Sequence, residues 1–139
     1  MLIFTVAKPP VLPIGEEKGV FMDRMRHLDY SKKEEVESFN QLINTDYKPY
    51  VKNYGTNEDG TNIIHIAVLY TNRKILESIL TIVGKGKINE QNRNGYTPLH
   101  YAAMHKKELY RFLVENGADE NIENYQHKTP RDYLDFKNK

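Results

Sequence analysis

A nine-residue pattern that recurs at a nearly fixed spacing limits what this chain can fold into more than any other feature. The stretch "GYTPLHYAA" begins at Gly95, and a related stretch, "GTNIIHIAV", begins 35 residues earlier at Gly60. The alignment places His65 on His100. A partial third copy, "HKTPRDYL", begins at His127, 32 residues after Gly95. Such a period predicts stacked repeats, each of which buries its apolar face against a neighbour.

The residues that follow each full copy predict a second helix in every unit. The stretch "RKILESILTIV" places apolar side chains on one helical face, at Ile75, Leu76, Ile79, Leu80 and Val83. The stretch "ELYRFLVENGAD" repeats this face with Leu109, Phe112 and Leu113. Each full unit is therefore expected to be a pair of helices.

The ends of the helices in the second full unit carry specific signals. Thr97 followed by Pro98 suits a helix start, because the hydroxyl can cap free N–H groups and proline has no N–H to leave unpaired. Asn116 followed by Gly117 suits a helix end, because glycine readily takes the left-handed conformation.

The stretches "DGTNIIHIA", "NGYTPLHYAA" and "ENGADEN" make the chain resemble the ankyrin repeat family over about residues 57–134. The resemblance implies an all-α stack of helical hairpins (an α-solenoid) with β-turn fingers, in which residues 57–139 hold two full repeats and a partial third. It also implies a non-catalytic function, the binding of another protein without a cofactor. Two departures are expected to change only local turns: "AAMHKKELY" lacks the family's interhelical glycine, and "GKGKIN" carries about two extra residues.

Residues 1–56 are expected to cap the N-terminal end of this stack, because about three units are needed for stability. In "YSKKEEVESFNQLIN", Ser31 and Glu34 have the spacing of a capping box. The apolar face of this predicted helix consists of Val36, Phe39, Leu42 and Ile43. A weaker helix is predicted upstream from Phe21, Met25 and Leu28, and "KPPVLPIG" before it is predicted to be extended or turn-like.

A second, weaker resemblance offers an alternative for the N-terminal segment. Leu12-Pro13, Leu28-Asp29 and "FNQLIN" at residues 39–44 are similar to parts of an F-box, although their spacing departs from that module. The resemblance implies a substrate adaptor of a ubiquitin ligase, in which the N-terminal half recruits the ligase.

Composition and charge exclude several classes of function. The formal net charge of +1 gives no field that would attract nucleic acid or an acidic membrane, and the absence of cysteine excludes disulfides and thiolate sites. The apolar start "MLIFTVA" is shorter than a signal-peptide core, and no apolar run approaches the roughly 20 residues that span a bilayer. We expect a soluble, cytoplasmic monomer. Its richness in Lys, Asn, Ile and Tyr suggests an AT-rich genome and a host-directed effector, in which case it would act in the host-cell cytosol.

No motif predicts catalysis or metal binding. His65 and His100 occupy equivalent places in successive repeats, but neither has a second ligand at helical spacing, so a role in the scaffold is favoured over a metal site. The "GKGK" at residues 84–87 lacks the phosphate-loop frame, and no serine lies in a nucleophile motif.

The residues expected to bind a partner are those that the resemblance places on the concave side, at the finger tips and the exposed edge of each first helix. They are Glu58, Asp59, Thr61, Leu69, Tyr70, Arg93, Asn94, Tyr96, Met104, His105, Tyr125, Gln126 and Lys128. Tyr70, Tyr96 and Met104 are predicted to be central, because such side chains are enriched at interface centres. Asn121 matches the position at which ankyrin proteins of animal cells undergo asparaginyl hydroxylation, and its alternative role is to brace a finger.

Overall fold

The computed structural model describes residues 14–137, with side chains for residues 19–134. The helices of this part are α1 (Ile14–His27), α2 (Lys33–Ile43), α3 (Lys48–Lys52), α4 (Ile63–Tyr70), α5 (Arg73–Val83), α6 (Pro98–His105), α7 (Lys107–Glu115) and α8 (Pro130–Lys137). The extended conformation predicted for "KPPVLPIG" is wrong at Ile14 and Gly15, because these two residues begin α1. They follow Pro13, and no later proline prevents a helix there. Residues 8–13 of that stretch and the apolar start lie outside the described residues.

The described helices stack as repeated hairpins, which confirms the predicted all-α repeat fold. The pairs α4–α5 and α6–α7 form two full units, α4 packs on α6, and α6 packs on α8 of the third unit. Two residues, Thr71 and Asn72, join α4 to α5, whereas only Lys106 joins α6 to α7. The predicted tighter turn is thus confirmed. The Lys106 Nζ donates to the carbonyl of Thr71 at 3.1 Å, so the two turns lie side by side.

The predicted start of α6 and end of α7 in the second full unit are confirmed. Thr97 caps α6, and its Oγ1 accepts the N–H of His100 at 3.3 Å. In the first unit Asn62 replaces the threonine, and its Oδ1 accepts the N–H of His65 at 3.0 Å. Asparagine is as good a cap as threonine, so the substitution preserves the helix start. Gly117 follows α7 with φ of 104°, as its place at the helix end requires.

The insertion in the first unit is local, as predicted. The residues Lys85–Lys87 form a short 3₁₀ helix directly after α5, and Ile88 behind it is buried. The extra residues are therefore absorbed in a turn that keeps one apolar side chain in the core.

The N-terminal helices continue the stack on the side of the first repeat. α1 packs against α4, while α2 and α3 pack against α5. Phe21, Phe39 and Tyr47 form an aromatic cluster, with ring centroids 5.4 to 6.3 Å apart. The buried apolar side chains of these helices and of the repeats belong to one continuous core. α1, α2 and α3 thus cover the side of the first repeat that faces away from the second.

The predicted capping box at Ser31 and Glu34 is wrong. The Ser31 N–H and Oγ both donate to Oδ1 of Asp29, at 3.0 and 2.6 Å. The Lys32 N–H donates to the Asp29 carbonyl at 3.1 Å, and α2 begins only at Lys33, without a side-chain cap. The Ser31 hydroxyl thus donates to a charged acceptor in the preceding turn, a strong hydrogen bond, and does not cap the helix.

Candidate functional site

Three turns with the same backbone precede the first helices of the repeats. We call them finger 1 (residues 57–61), finger 2 (92–96) and finger 3 (124–128). In each, the N–H of the first residue donates to the carbonyl of the fifth, at 2.8, 3.0 and 2.8 Å. The fourth residue has a positive φ in all three, at Gly60 (78°), Gly95 (82°) and His127 (63°). The fingers are therefore rigid copies of one structure.

Backbone hydrogen bonds join the fingers into a ladder. The N–H of Arg93 in finger 2 donates to the carbonyl of Asp59 in finger 1 at 2.8 Å. The N–H of Tyr125 in finger 3 donates to the carbonyl of Asn94 in finger 2 at 3.1 Å. In fingers 2 and 3 the second residue is thus bonded to the third residue of the finger before it, which fixes the spacing of the finger tips.

The two repeated histidines tie each first helix to the next finger. The Nε2 of His65 lies 2.8 Å from the carbonyl oxygen of Tyr96, and the Nε2 of His100 lies 2.9 Å from that of Lys128. Since a carbonyl can only accept, Nε2 carries the proton, and Nδ1 accepts the backbone N–H of Asn62 or Thr97. The predicted scaffold role is confirmed by these bonds. Among the residues that the structure describes, no three His, Asp or Glu side chains converge as metal ligands would.

Acid is expected to destabilise the fold through these histidines. Burial lowers the pKa of both imidazoles below the ordinary value of 6.5. Below about pH 6.5 the unfolded chain therefore takes up protons that the folded chain does not, and stability falls as the pH is lowered through this range. The expected loss is up to about 1.4 kcal/mol per pH unit for each histidine. Urea unfolding at pH 7.5 and 5.5 measures it.

The matched controls for this pH dependence are the single variants His65→Gln and His100→Gln. Each keeps a side-chain N–H donor but cannot titrate, so each should lower stability at pH 7.5 and show a weaker pH dependence than the parent. An unchanged pH dependence in both variants would contradict the prediction.

Tyr96 is less free than the sequence indicates. Its ring stacks on Tyr101 at 5.7 Å and meets His100 edge-on at 5.5 Å. Its hydroxyl lies 3.4 Å from that of Tyr133, and this hydrogen bond is the main cause that raises the pKa of Tyr96 to about 12. The ring is half-buried and part of the scaffold, so truncating it to alanine would disturb the fold as well as any binding.

Two buried asparagines that the sequence reasoning missed hold the fingers. The Oδ1 of Asn92 accepts the N–H of Asn94 and Tyr96, at 3.0 and 3.1 Å, and its Nδ2 donates to the Tyr101 hydroxyl at 2.7 Å. The equivalent Asn124 accepts from Gln126 and Lys128 and donates to Tyr133. The signal was available, because asparagine recurs at 57, 92 and 124 with the same periods as the repeat.

The structure exposes most of the residues expected to bind a partner. The exposed members are Glu58, Asp59, Tyr70, Arg93, Asn94, His105, Tyr125, Gln126 and Lys128. The half-buried members are Leu69, Tyr96 and Met104. Asn121 is also exposed, in the loop after α7, where its N–H donates to Asp119. The finger is braced by Asn124 instead.

Thr61 is a correction to this set. Only 6% of its surface is exposed. Its carbonyl accepts the N–H of Asn57, and its own N–H donates to the Asp59 carboxylate at 3.1 Å. The residue closes the base of finger 1 and offers almost no side chain to a partner.

Stacked helical hairpins that carry a ladder of hydrogen-bonded fingers define a helical repeat protein. The family model for ankyrin repeats matches residues 29–124 as three copies. The chain belongs to the ankyrin repeat family. Proteins of this family generally bind other proteins and are generally not catalysts. The match begins before α2, so part of the N-terminal segment is counted within the repeats.

Relatives of this chain occur in viruses, plants and bacteria. It is 40% identical over 55 residues to the ankyrin repeat domain-containing protein M-T5 of Myxoma virus (strain Lausanne), covering 39% of this chain and 11% of that protein. It is 34% identical over 91 residues to the regulatory protein NPR1 of Arabidopsis thaliana, covering 62% and 15%. It is 25% identical over 127 residues to the putative ankyrin repeat protein BB_B28 of Borreliella burgdorferi, covering 89% and 30%. The aligned segments thus span less than a third of these relatives.

A solved structure shares the fold. A chain in the complex of the predatory endopeptidase Bd0816 of Bdellovibrio bacteriovorus with the immunity protein Bd3460 has a TM-score of 0.56 and 25% sequence identity. The match covers 74% of this chain and 52% of that chain. Within residues 14–137, no helix combines the length and apolarity that crossing a bilayer requires.

Proposed function

We propose that this chain binds a partner protein through its finger–helix surface, which comprises the exposed finger tips and the exposed edges of α4 and α6. The observation that supports this most is the hydrogen-bonded ladder. It holds the tips of three fingers in one fixed row, so little conformational entropy is lost when a partner binds.

The side chains on this surface suit the centre of a protein interface. Tyr125 is 65% exposed and Tyr70 is 39% exposed, and tyrosine buries a large area with few rotatable bonds. The guanidinium of Arg26 lies 5.4 Å from the centre of the Tyr70 ring, which extends the surface onto α1. Met104 lies on the same edge of α6 as Leu69 does on α4, one repeat away.

A finer proposal is that the partner is a host protein and that the chain acts in the host-cell cytosol. The sequence similarity to an ankyrin repeat protein of Myxoma virus supports this, together with the composition rich in Lys, Asn, Ile and Tyr. The same similarity supports an interaction module rather than an enzyme.

The N-terminal helices favour this function over the ligase adaptor. The Phe39 ring is buried against Phe21 and Tyr47, and α2 packs on α5, so Phe39 and Ile43 of the "FNQLIN" segment belong to the core of the stack. Leu12-Pro13, the first part of the F-box resemblance, lies outside the described residues. Copurification of the intact chain with a ligase scaffold subunit would support the adaptor instead.

Exposed tyrosines provide a sharp test of the surface. The intact chain is used to capture partners from cell lysates, and the strongest partner is then measured with purified proteins. The double variant Tyr70→Ala/Tyr125→Ala should weaken binding at least about tenfold, because interface-centre tyrosines often cost more than 1.4 kcal/mol when truncated. Met104→Ala should weaken it less.

The control for this test is Arg111→Ala, at an exposed position on α7 away from the fingers. It should bind like the parent, and urea unfolding should show that all three variants keep the parent's stability within about 0.5 kcal/mol. If the tyrosine variant binds as tightly as the parent, the partner does not use the finger–helix surface.

A further inference from the structure

The ladder of fingers has an open end at finger 1. In fingers 2 and 3 the N–H of the second residue, Arg93 or Tyr125, donates to the preceding finger. Glu58 is the second residue of finger 1 and so occupies the equivalent position in its turn. No acceptor for the Glu58 N–H is found among the described residues. Finger 1 therefore presents a backbone N–H that could form the same hydrogen bond as those of fingers 2 and 3 but has no acceptor among the described residues.

A shallow groove that is widely open to solvent lies beside this open end. It has a volume of about 550 Å³ and is lined by the residues of finger 1 and the one before it, at Thr56, Asn57, Glu58 and Asp59. Residues 1–13 lie outside the described part of the chain. Within that part, the groove is not filled.

The open end carries negative charge. Glu58 and Asp59 are both exposed, and neither forms an ion pair with a described residue. Two hydrogen bonds from Thr61 hold the pKa of the Asp59 carboxyl below its ordinary value. The larger effect comes from the Thr61 side chain and the smaller from its backbone N–H. The Asp59 carboxylate therefore stays charged at neutral pH.

We propose that this open end, residues 56–59, binds a backbone turn of the partner protein that carries a basic residue. A carbonyl of the turn accepts the Glu58 N–H, as the carbonyls of Asp59 and Asn94 accept the N–H groups of the following fingers. The basic side chain pairs with the carboxylate of Glu58. This inference rests on the proposed function and adds to it the chemistry of one part of the partner.

The geometry favours a turn over a helix or a long strand. Each finger offers its predecessor a single backbone N–H, and the residue that accepts it lies in a five-residue turn. Addition of backbone to an open hydrogen-bonded edge gives affinity, and side-chain charge then selects the partner. Finger 2, whose sequence includes Arg93, is itself a turn of this type bonded to the opposite side of finger 1.

Amide hydrogen exchange in the intact chain gives the first test. The Glu58 amide should exchange at least about tenfold faster than those of Arg93 and Tyr125, which occupy the same place in bonded fingers. If Glu58 is as protected as these two, the open end is already filled. Protection that is independent of protein concentration would identify residues 1–13 as the occupant, and protection that rises with concentration would identify a second copy. Either result overturns the proposal.

Peptide binding gives the second test. The probe is a cyclised peptide of residues 91–97, "QNRNGYT", and its matched control carries the change Arg93→Glu. The first peptide should shift the Glu58 amide resonance and slow its exchange, and the effect should weaken as salt is raised. The control peptide should bind at least about tenfold more weakly, because its charge opposes Glu58. Equal binding of the two peptides would overturn the proposal.

Protein variants separate this inference from the proposed function. Glu58→Lys should abolish peptide binding, whereas Tyr70→Ala/Tyr125→Ala should retain it, because neither tyrosine contacts the groove. Glu58→Gln, which keeps the backbone donor, should bind the peptide several-fold more weakly. If Glu58→Lys still binds the peptide, the open end is not the site, although the finger–helix surface could still bind the partner through its tyrosines.

Discussion

Replacing Gly95 with alanine is expected to destabilise the protein by about 3 kcal/mol or more. Gly95 has φ of 82°, which costs an alanine side chain conformational strain. A Cβ atom there would lie 2.7 Å from the backbone N of Tyr125 and 2.9 Å from the Cα of Asn124. Backbone atoms cannot rotate away, so fingers 2 and 3 would have to separate. Urea unfolding of the parent and the variant measures the loss.

Two other glycines separate the strain from the collision. Gly55 has a similar φ of 70°, but no atom lies within 4 Å of the Cβ that alanine would add there. Gly55→Ala should therefore lower the free energy of unfolding by only about 1 kcal/mol. Gly86→Ala has neither the positive φ nor a close atom, and it should leave stability nearly unchanged. If Gly95→Ala costs no more than Gly55→Ala, the fingers are not packed as tightly as the structure shows.

Phe39→Ala is expected to cost about 3 to 5 kcal/mol, as large-to-small changes at buried aromatic positions do. The ring is 2% exposed and lies 5.9 Å from Phe21 and 6.3 Å from Tyr47, measured between centroids. Because this cluster belongs to the same core as the repeats, the whole stack should lose stability in a single urea transition. A loss below about 1 kcal/mol would contradict the packing of α1 and α2 on the first repeat.

Tyr47→Phe is the matched control in the same cluster. The Tyr47 hydroxyl is buried without a hydrogen-bond partner among the described residues. Removing it keeps the ring and relieves an unsatisfied polar group, so stability should stay the same or rise by up to about 1 kcal/mol. A large loss of stability in Phe39→Ala together with no loss in Tyr47→Phe would show that the packing of the rings, not the Tyr47 hydroxyl, stabilises this region.

The ladder and the N-terminal helices together explain how a short stack presents a defined surface. The helices α1 and α2 cover the apolar face that the first repeat would otherwise expose, as terminal units of repeat proteins must. His65 and His100 then hold fingers 2 and 3 through hydrogen bonds to their backbone carbonyls, and backbone hydrogen bonds join neighbouring fingers to one another. The exposed tips project from a rigid base.

The repeat fold was predictable because its determinants are local or periodic. The apolar faces at Leu76, Leu80 and Leu109 follow helical spacing, and Thr97-Pro98 marks a helix start wherever it occurs. The recurrence of His65 at His100 indicated a scaffold role before any contact was known. The Ser31 cap failed because both the N–H and the hydroxyl of Ser31 donate to the carboxylate of Asp29, and the capping-box pattern takes no account of the residue two positions before it.

The sequence by itself therefore determined the period, the helices of the two full units and the family, since each depends on local patterns or on their regular recurrence. Only the tertiary structure decided which of the expected binding residues are free, because their neighbours lie in other repeats. The bonds His65 to Tyr96, His100 to Lys128 and Tyr96 to Tyr133 join residues 28 to 37 positions apart. These bonds make Tyr96 part of the scaffold. The stacking of the repeats also leaves the Tyr125 side chain exposed and places the Glu58 N–H at the open end of the row of fingers. Such contacts arise only when one repeat is stacked on the next, and no spacing within a single repeat encodes them.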